Sequence, residues 1–250
     1  MTASVTVIGN PVSPYVRKVL AVSMMKGIEV RIDPITPFRG DDAFSALSPL
    51  RRIPVWIEGD LTLCDSSIIV QYLEETRPSS PLWPSNPVQR AHARWIEEFA
   101  DTRLFDVLGW KLFFQMAVKP RTLKEPPERA LIEKARDEEA PELFDYLESQ
   151  IPAEGFLFGD VSIADFSLAP AFLNAQVVGV EPSPDRWPRL VAWLARMEAE
   201  TVLGPLNDLS RAFMTTPFAQ HRDLLATHGW AVTEVSHDAG FARRGPMSPV

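Results

Sequence analysis

The stretch Val5-Thr-Val-Ile-Gly9-Asn-Pro-Val-Ser13-Pro-Tyr-Val-Arg-Lys-Val19 decides how this chain begins its fold. Val5 to Ile8 is short and β-branched, and Gly9-Asn10-Pro11 breaks it, so it reads as a buried strand ending in a turn. Ser13-Pro14 reads as a helix start, with serine as N-cap and proline as the first helical residue. Val16, Val19, Leu20, Ser23 and Met24 then repeat at helical spacing, and Gly27 closes the helix. Glu29 to Asp33 alternates like a second strand. The result is a βαβ unit, whose strands should run parallel.

Working outward, residues 35 to 52 are irregular, with a short helix expected around Asp41 to Ala46. Pro54-Val-Trp-Ile57 and Leu61-Thr-Leu63 flank Glu58-Gly59-Asp60 and predict a hairpin. Asp65-Ser66 precedes Ile68, Ile69, Tyr72 and Leu73, which predict an amphipathic helix ending near Thr76. The order β-α-β-(α)-β-β-α fits a small mixed sheet with helices packed on it. Pro78, Pro81, Pro84 and Pro87 then interrupt any helix or central strand. Residues 78–87 therefore read as a linker between a domain over 1–77 and a second over 88–250. In the second domain the period is helical, with helices expected at about 87–118, 128–150, 162–177, 187–199 and 201–212. Residues 213 to 250 show weak periodicity and read as a C-terminal extension.

Composition bounds the function. The 250 residues carry a formal net charge of -8. An acidic balance argues against nucleic acid as partner, which needs a basic footprint, and against anionic membrane surfaces. The single cysteine, Cys64, excludes an intramolecular disulfide and a multi-cysteine metal cluster. Its place on a strand pattern reads as a small buried residue. The histidines His92, His221, His228 and His237 are spread out, match no metal pattern, and read mostly as surface residues. No basic-then-apolar leader follows Met1, and no run of about 18 apolar residues appears. The expectation is a cytoplasmic protein with no metal.

Three stretches, in order, resemble the cytosolic glutathione transferases of serine type. The layout of a thioredoxin-like N-terminal domain, a proline-bearing linker and an all-helical C-terminal domain matches over roughly residues 4 to 210. The first stretch is Gly9 to Val19. It resembles the turn that carries the active hydroxyl, and also the Cys-Pro-Tyr-Cys turn of glutaredoxins, with Ser13 and Val16 at the two cysteine positions. Without those sulfurs there is no dithiol chemistry, and a hydroxyl remains at a helix N-terminus that favours an anion. The resemblance implies that Ser13 donates to the glutathione thiolate. The Ser-Pro pair alone reads as a helix cap, and both roles can coexist.

The second stretch, Ser48-Pro-Leu-Arg-Arg-Ile-Pro-Val55, resembles the family's Asn-Pro-x-Gly-Lys-Val-Pro segment. The resemblance implies a cis peptide bond at Ile53-Pro54 and backbone contacts from Ile53 to the cysteinyl part of glutathione, with Arg52 nearby. Ser48 and Arg51 depart from the pattern. If the usual glycine serves a positive φ, Arg51 is strained there. The third stretch, Leu61-Thr-Leu-Cys-Asp-Ser-Ser-Ile-Ile69, resembles the pair that grips the γ-glutamyl group. Asp65 would take its ammonium and Ser66 its carboxylate; ordinary capping is the alternative. Arg39 stands where several classes hold the glycine carboxylate.

In the second domain, Ser162-Ile-Ala-Asp165 resembles the family's capping box, a folding device. Trp110, Phe113 and Phe114, with Met116 nearby, are candidates for a hydrophobic substrate pocket; core packing or an interface between two copies competes for them. The resemblance implies a homodimer that conjugates glutathione, as co-substrate, to a small hydrophobic electrophile. Two other readings stay open: another glutathione-dependent enzyme (isomerase, ether-cleaving lyase or dehalogenase), and a non-catalytic binding protein. Dehalogenases that form a mixed disulfide need a cysteine near position 13, which this chain lacks.

Overall fold

A computed structural model describes residues 5–243 and divides the chain into two compact units. One joins the residues up to Ser80 with those from Pro205 onward; the other is Pro81–Gly204.

In the first unit, β1 (Val5–Ile8) leads through the Gly9–Ser13 turn into α1 (Pro14–Met25) and then β2 (Val30–Asp33). Ser13 has extended backbone (φ -68°, ψ 126°) and caps α1 as its sequence predicts, with Pro14 in the first turn. Val16, Val19 and Leu20 are fully buried beneath the sheet-facing side of α1. At its other end Gly27 takes φ 65°, and the N–H groups of Gly27 and Ile28 donate to the carbonyls of Met24 and Ser23. A short helix α2 (Asp42–Leu47) follows, then the hairpin β3 (Val55–Glu58) and β4 (Leu61–Cys64), then α3 (Ser66–Thr76). Lys26 Nζ donates to the Arg77 carbonyl at 2.8 Å and pairs with Glu74 at 2.7 Å. A cation thus sits at the C-terminal end of α3, where the helix dipole favours it.

The sheet has five strands in the order β4-β3-β1-β2-β5, the last being Ala231–Val232. β1 and β2 are parallel, with Val5 opposite Val30, while β3 runs antiparallel to both β1 and β4. The fifth strand corrects the sequence reading. It is β5 (Ala231–Val232), from the segment expected to extend an all-helical 88–250 domain, and it lies parallel to β2 with Ile32 opposite Val232. Without it β2 would be an edge strand with unpaired N–H and C=O groups. The segment leading to β5 contains α10 (His221–Thr227).

The second unit is helical. One long helix, α4, runs from Pro87 through Phe99 and continues from Ala100 to Leu123 with the wider π winding. That winding is usually confined to single turns, and the helix outlasts the expected end near 118. α5 (Arg129–Lys134) joins α6 (Ala140–Gln150) through a π-wound Ala135–Glu139. α7 (Ile163–Val177) is buried over most of its length. Then come α8 (Pro188–Ala199) and α9 (Leu203–Thr215), which crosses from one unit into the other. The capping box at Ser162 is formed. Asp165 Oδ2 accepts the Ser162 N–H at 2.9 Å and its hydroxyl at 2.7 Å, while Oδ1 accepts Leu157 N–H at 3.1 Å and Trp193 Nε1–H at 2.9 Å. Four donors offset the desolvation of a buried carboxylate. No described helix is long and apolar enough to cross a membrane.

Candidate functional site

Gly9 opens the site. Its φ is 152°, and a Cβ there would lie 2.5 Å from Val16 Cγ2 and 3.1 Å from Ile53 Cβ. Glycine is needed because α1 and the loop before β3 close on the same point. The Gly9 N–H donates to the Asp33 carbonyl at 2.8 Å, and the Ser13 N–H to the Asn10 carbonyl at 2.9 Å. The Ser13 hydroxyl, half-buried, accepts the Val16 N–H at a long 3.4 Å. Accepting engages a lone pair and leaves the hydroxyl proton to donate.

The Ile53-Pro54 bond is cis, and both residues are buried. Behind it the Ser48 hydroxyl accepts the Arg52 N–H and donates to the Arg52 carbonyl, each at 2.9 Å. Arg51 has φ 51° and is 7% exposed. Its guanidinium donates to the carbonyls of Gly40 at 2.8 Å, Pro37 at 3.1 Å and Asp41 at 3.4 Å, and to the Ser45 hydroxyl. It also lies over the Phe44 ring. The unusual residue is thus the tie that gathers the loop from Pro37 to Ser45. Arg52 itself is exposed.

Asp65 turns the chain into α3 with φ 83° and ψ 128°. Its Oδ1 accepts the Ser67 N–H at 2.9 Å and the Ile68 N–H at 3.3 Å. Ser66 is buried at the first helical position. The Ser67 hydroxyl accepts from Lys18 Nζ at 3.0 Å, which joins this helix start to α1. The turns at Ser13, Ile53 and Asp65 are therefore gathered around α1. Cys64 is half-buried rather than fully buried; its thiol donates to the Leu47 carbonyl at 3.1 Å, and burial pushes its pKa up.

Residues 7–81 match the family model described as Glutathione S-transferase, N-terminal domain, and residues 129–196 match Glutathione S-transferase, C-terminal domain. Glutathione S-transferase 3 of Glycine max is 30% identical over 169 residues, covering 65% of this chain and 71% of that protein. A glutathione S-transferase of Hyoscyamus muticus is 28% identical over 194 residues, covering 75% and 90%. The chain belongs to the glutathione S-transferase family. A crystal structure of a glutathione S-transferase from Sinorhizobium meliloti 1021 shares the fold at a TM-score of 0.75, with 23% identity over 89% of this chain and 99% of that one.

Within this glutathione S-transferase fold, the candidate at Arg39 already has partners. Its Nε lies 3.1 and 3.2 Å from the two carboxylate oxygens of Asp238, and its guanidinium sits 4.9 Å from the Phe218 ring centre. The Asp33 carboxylate is held by the same segment: it accepts the Ser236 hydroxyl and the His237 N–H, both at 2.7 Å, with Arg222 at 3.6 Å. Burial nonetheless holds Asp33 above its ordinary pKa. Of the pocket candidates, Phe113 (8% exposed) and Phe114 (3%) are buried, and Trp110 is half-buried, edge-on to Phe105 and Phe114. Of the four histidines, His92 and His228 are exposed and His237 half-buried, while His221 is buried at 3% exposed. Among the described residues no group of three or more His, Cys, Asp or Glu is placed to hold a metal.

Proposed function

We propose that this chain conjugates glutathione to a small hydrophobic electrophile as a cytoplasmic homodimer serving detoxification. Ser13 donates its hydroxyl proton in a hydrogen bond to the glutathione thiolate. Ile53 and Pro54 hold the cysteinyl backbone, with Arg52 beside them. Asp65 takes the γ-glutamyl ammonium and Ser66 its carboxylate. Arg39 is directed at the glycine carboxylate, and Trp110, Phe113 and Phe114 serve the electrophile. The observation that carries this reading is the closure of Ile53 on Gly9, beside a helix start whose serine keeps a donor proton.

The chemistry is a displacement or addition at an electrophilic carbon. A free thiol has a pKa of about 8.5, so little is ionised at neutral pH. Lowering it by about two units requires roughly 3 kcal/mol of preferential thiolate stabilisation. A charge-assisted hydrogen bond from Ser13 contributes about 1.5–3 kcal/mol. The α1 terminus adds up to about 1 kcal/mol. The serine need not ionise; it donates, and the sulfur lone pair forms the new bond to carbon.

Ser13→Ala tests this. It should lower conjugation of chlorodinitrobenzene by more than about tenfold, with glutathione still bound by calorimetry. A wild-type rate would reduce Ser13 to a cap, and no binding at millimolar glutathione would remove the enzyme reading altogether.

A further inference from the structure

Asn10 is 4% exposed and sits three residues before Ser13. Its carbonyl accepts the Ser13 N–H, and its Oδ1 accepts the Val12 N–H at 2.8 Å. That second bond fixes the amide, since an NH2 group turned toward Val12 would set donor against donor. Asn10 Nδ2 therefore faces the Pro34 carbonyl at 3.4 Å and His221 Nδ1 at 3.1 Å. A donor at that distance requires Nδ1 to be bare and accepting. The other ring nitrogen, Nε2, lies 3.1 Å from the Thr216 carbonyl, an oxygen that can only accept. Nε2 therefore carries the proton, and the two neighbours fix a neutral imidazole in one tautomer. The ring packs against Phe213 and Phe218, with centroids 4.4 and 5.2 Å away.

We infer that His221 is a positioning residue for the turn at Asn10–Ser13, acting through the Asn10 amide. A residue 211 positions further along the chain completes the hydrogen bonding of the side chain that holds this turn. The inference rests on the reading of Ser13 as the thiolate's donor. Such a donor must be held to within about 0.5 Å of its working geometry, which side chains behind it have to secure. Asn10 ties the turn to Val12 and Ser13 in front, and His221 anchors it from behind. On this reading His221 acts through the turn that carries Ser13, so the effect should appear in the quality of the thiolate more than in binding.

The full chain carrying His221→Phe or His221→Asn tests this. Phenylalanine keeps a ring between Phe213 and Phe218 but removes the acceptor; asparagine keeps an acceptor near the Nδ1 place. The readouts are kcat and KM for glutathione with chlorodinitrobenzene, and the pH at which bound glutathione develops thiolate absorbance. His221→Phe should lower kcat by about tenfold while KM moves less than about threefold, and thiolate absorbance should appear at higher pH. His221→Asn should recover most of both. In a Ser13→Ala background His221→Phe should cost little more. Wild-type kcat and thiolate titration in His221→Phe would overturn the inference and leave the Ser13 reading standing. So would equal losses in the two His221 variants, or losses additive with Ser13→Ala. If Ser13→Ala alone is silent, the Ser13 reading falls, and this inference falls with it whatever the His221 variants do.

Discussion

Asp238 presents both carboxylate oxygens to Nε of Arg39, at 3.1 and 3.2 Å. An aspartate from the C-terminal segment thus occupies the side chain that we propose for the glycine carboxylate of glutathione. A part-exposed ion pair of this kind is worth about 0.2–1 kcal/mol. Asp238→Ala should therefore lower the glutathione KM, by at most about fivefold. Steady-state kinetics at fixed ionic strength reads this; an unchanged or raised KM would mean Arg39 does not serve glutathione.

Arg51 combines a left-handed backbone with a buried guanidinium that satisfies the carbonyls of Pro37 and Gly40. Arg51→Ala keeps the strain and loses the donors, and each oxygen stranded without a partner costs about 1–3 kcal/mol. Arg51→Gly loses the same donors but relieves the backbone, which is worth about 1–2 kcal/mol. Both variants should be less stable than wild type in urea, with glycine the milder by about 1 kcal/mol. Equal stability of the glycine and alanine variants would refute the backbone part of this account.

Capping and ligand binding by Asp65 can be separated. Asparagine keeps the Oδ1 that accepts from Ser67 and Ile68 and tolerates positive φ. Asp65→Asn should stay within about 0.5 kcal/mol of wild-type stability, yet raise the glutathione KM about fivefold or more through loss of a charged hydrogen bond to the ammonium. An unaltered KM would leave Asp65 a cap alone.

Asp33 gives a pH signature. Burial raises its folded-state pKa above the ordinary 3.8, against the opposing bonds from His237 and Ser236. The native state then holds a proton more tightly than the unfolded chain. Stability contributed by this site is present at low pH and declines as pH rises from 3.8 through the folded value, after which it levels. An asparagine side chain in its place would not titrate. The stability of Asp33→Asn relative to wild type should thus improve as pH rises over that window, whatever its offset. Urea titrations at a series of pH values measure the difference, and a flat or opposite slope would contradict the direction.

Much of this molecule is legible in the sequence because the signals are local. Ser13-Pro14 marks the start of α1, Glu58-Gly59-Asp60 marks the hairpin, and Ser162 with Asp165 marks the capping box. What was not legible depends on distant partners. Ala231-Val232 has no alternation of its own and becomes a strand because β2 offers it an edge. His221 is the first residue of a seven-residue helix, with polar Gln220 and Arg222 on either side, where nothing local marks a buried ring. Arg51 could be read as an anomaly against the family pattern, yet the oxygens it binds are fixed by the fold of the loop. The π winding beyond Phe99 likewise has no sequence signal that periodicity could resolve.

The pairing of Ile32 with Val232 also sets a timetable. At a synthesis rate of about 5–20 residues per second, roughly 10–40 s separates the emergence of those two residues from the ribosome. Through that interval the nascent sheet carries an uncovered edge at β2 and an Asp33 carboxylate still waiting for His237 and Ser236. The helical unit, built from nearer neighbours in sequence, can fold first. The sheet begun by β1 and β2 is therefore completed by residues made long after them, and it matures only after the helical unit has been synthesised.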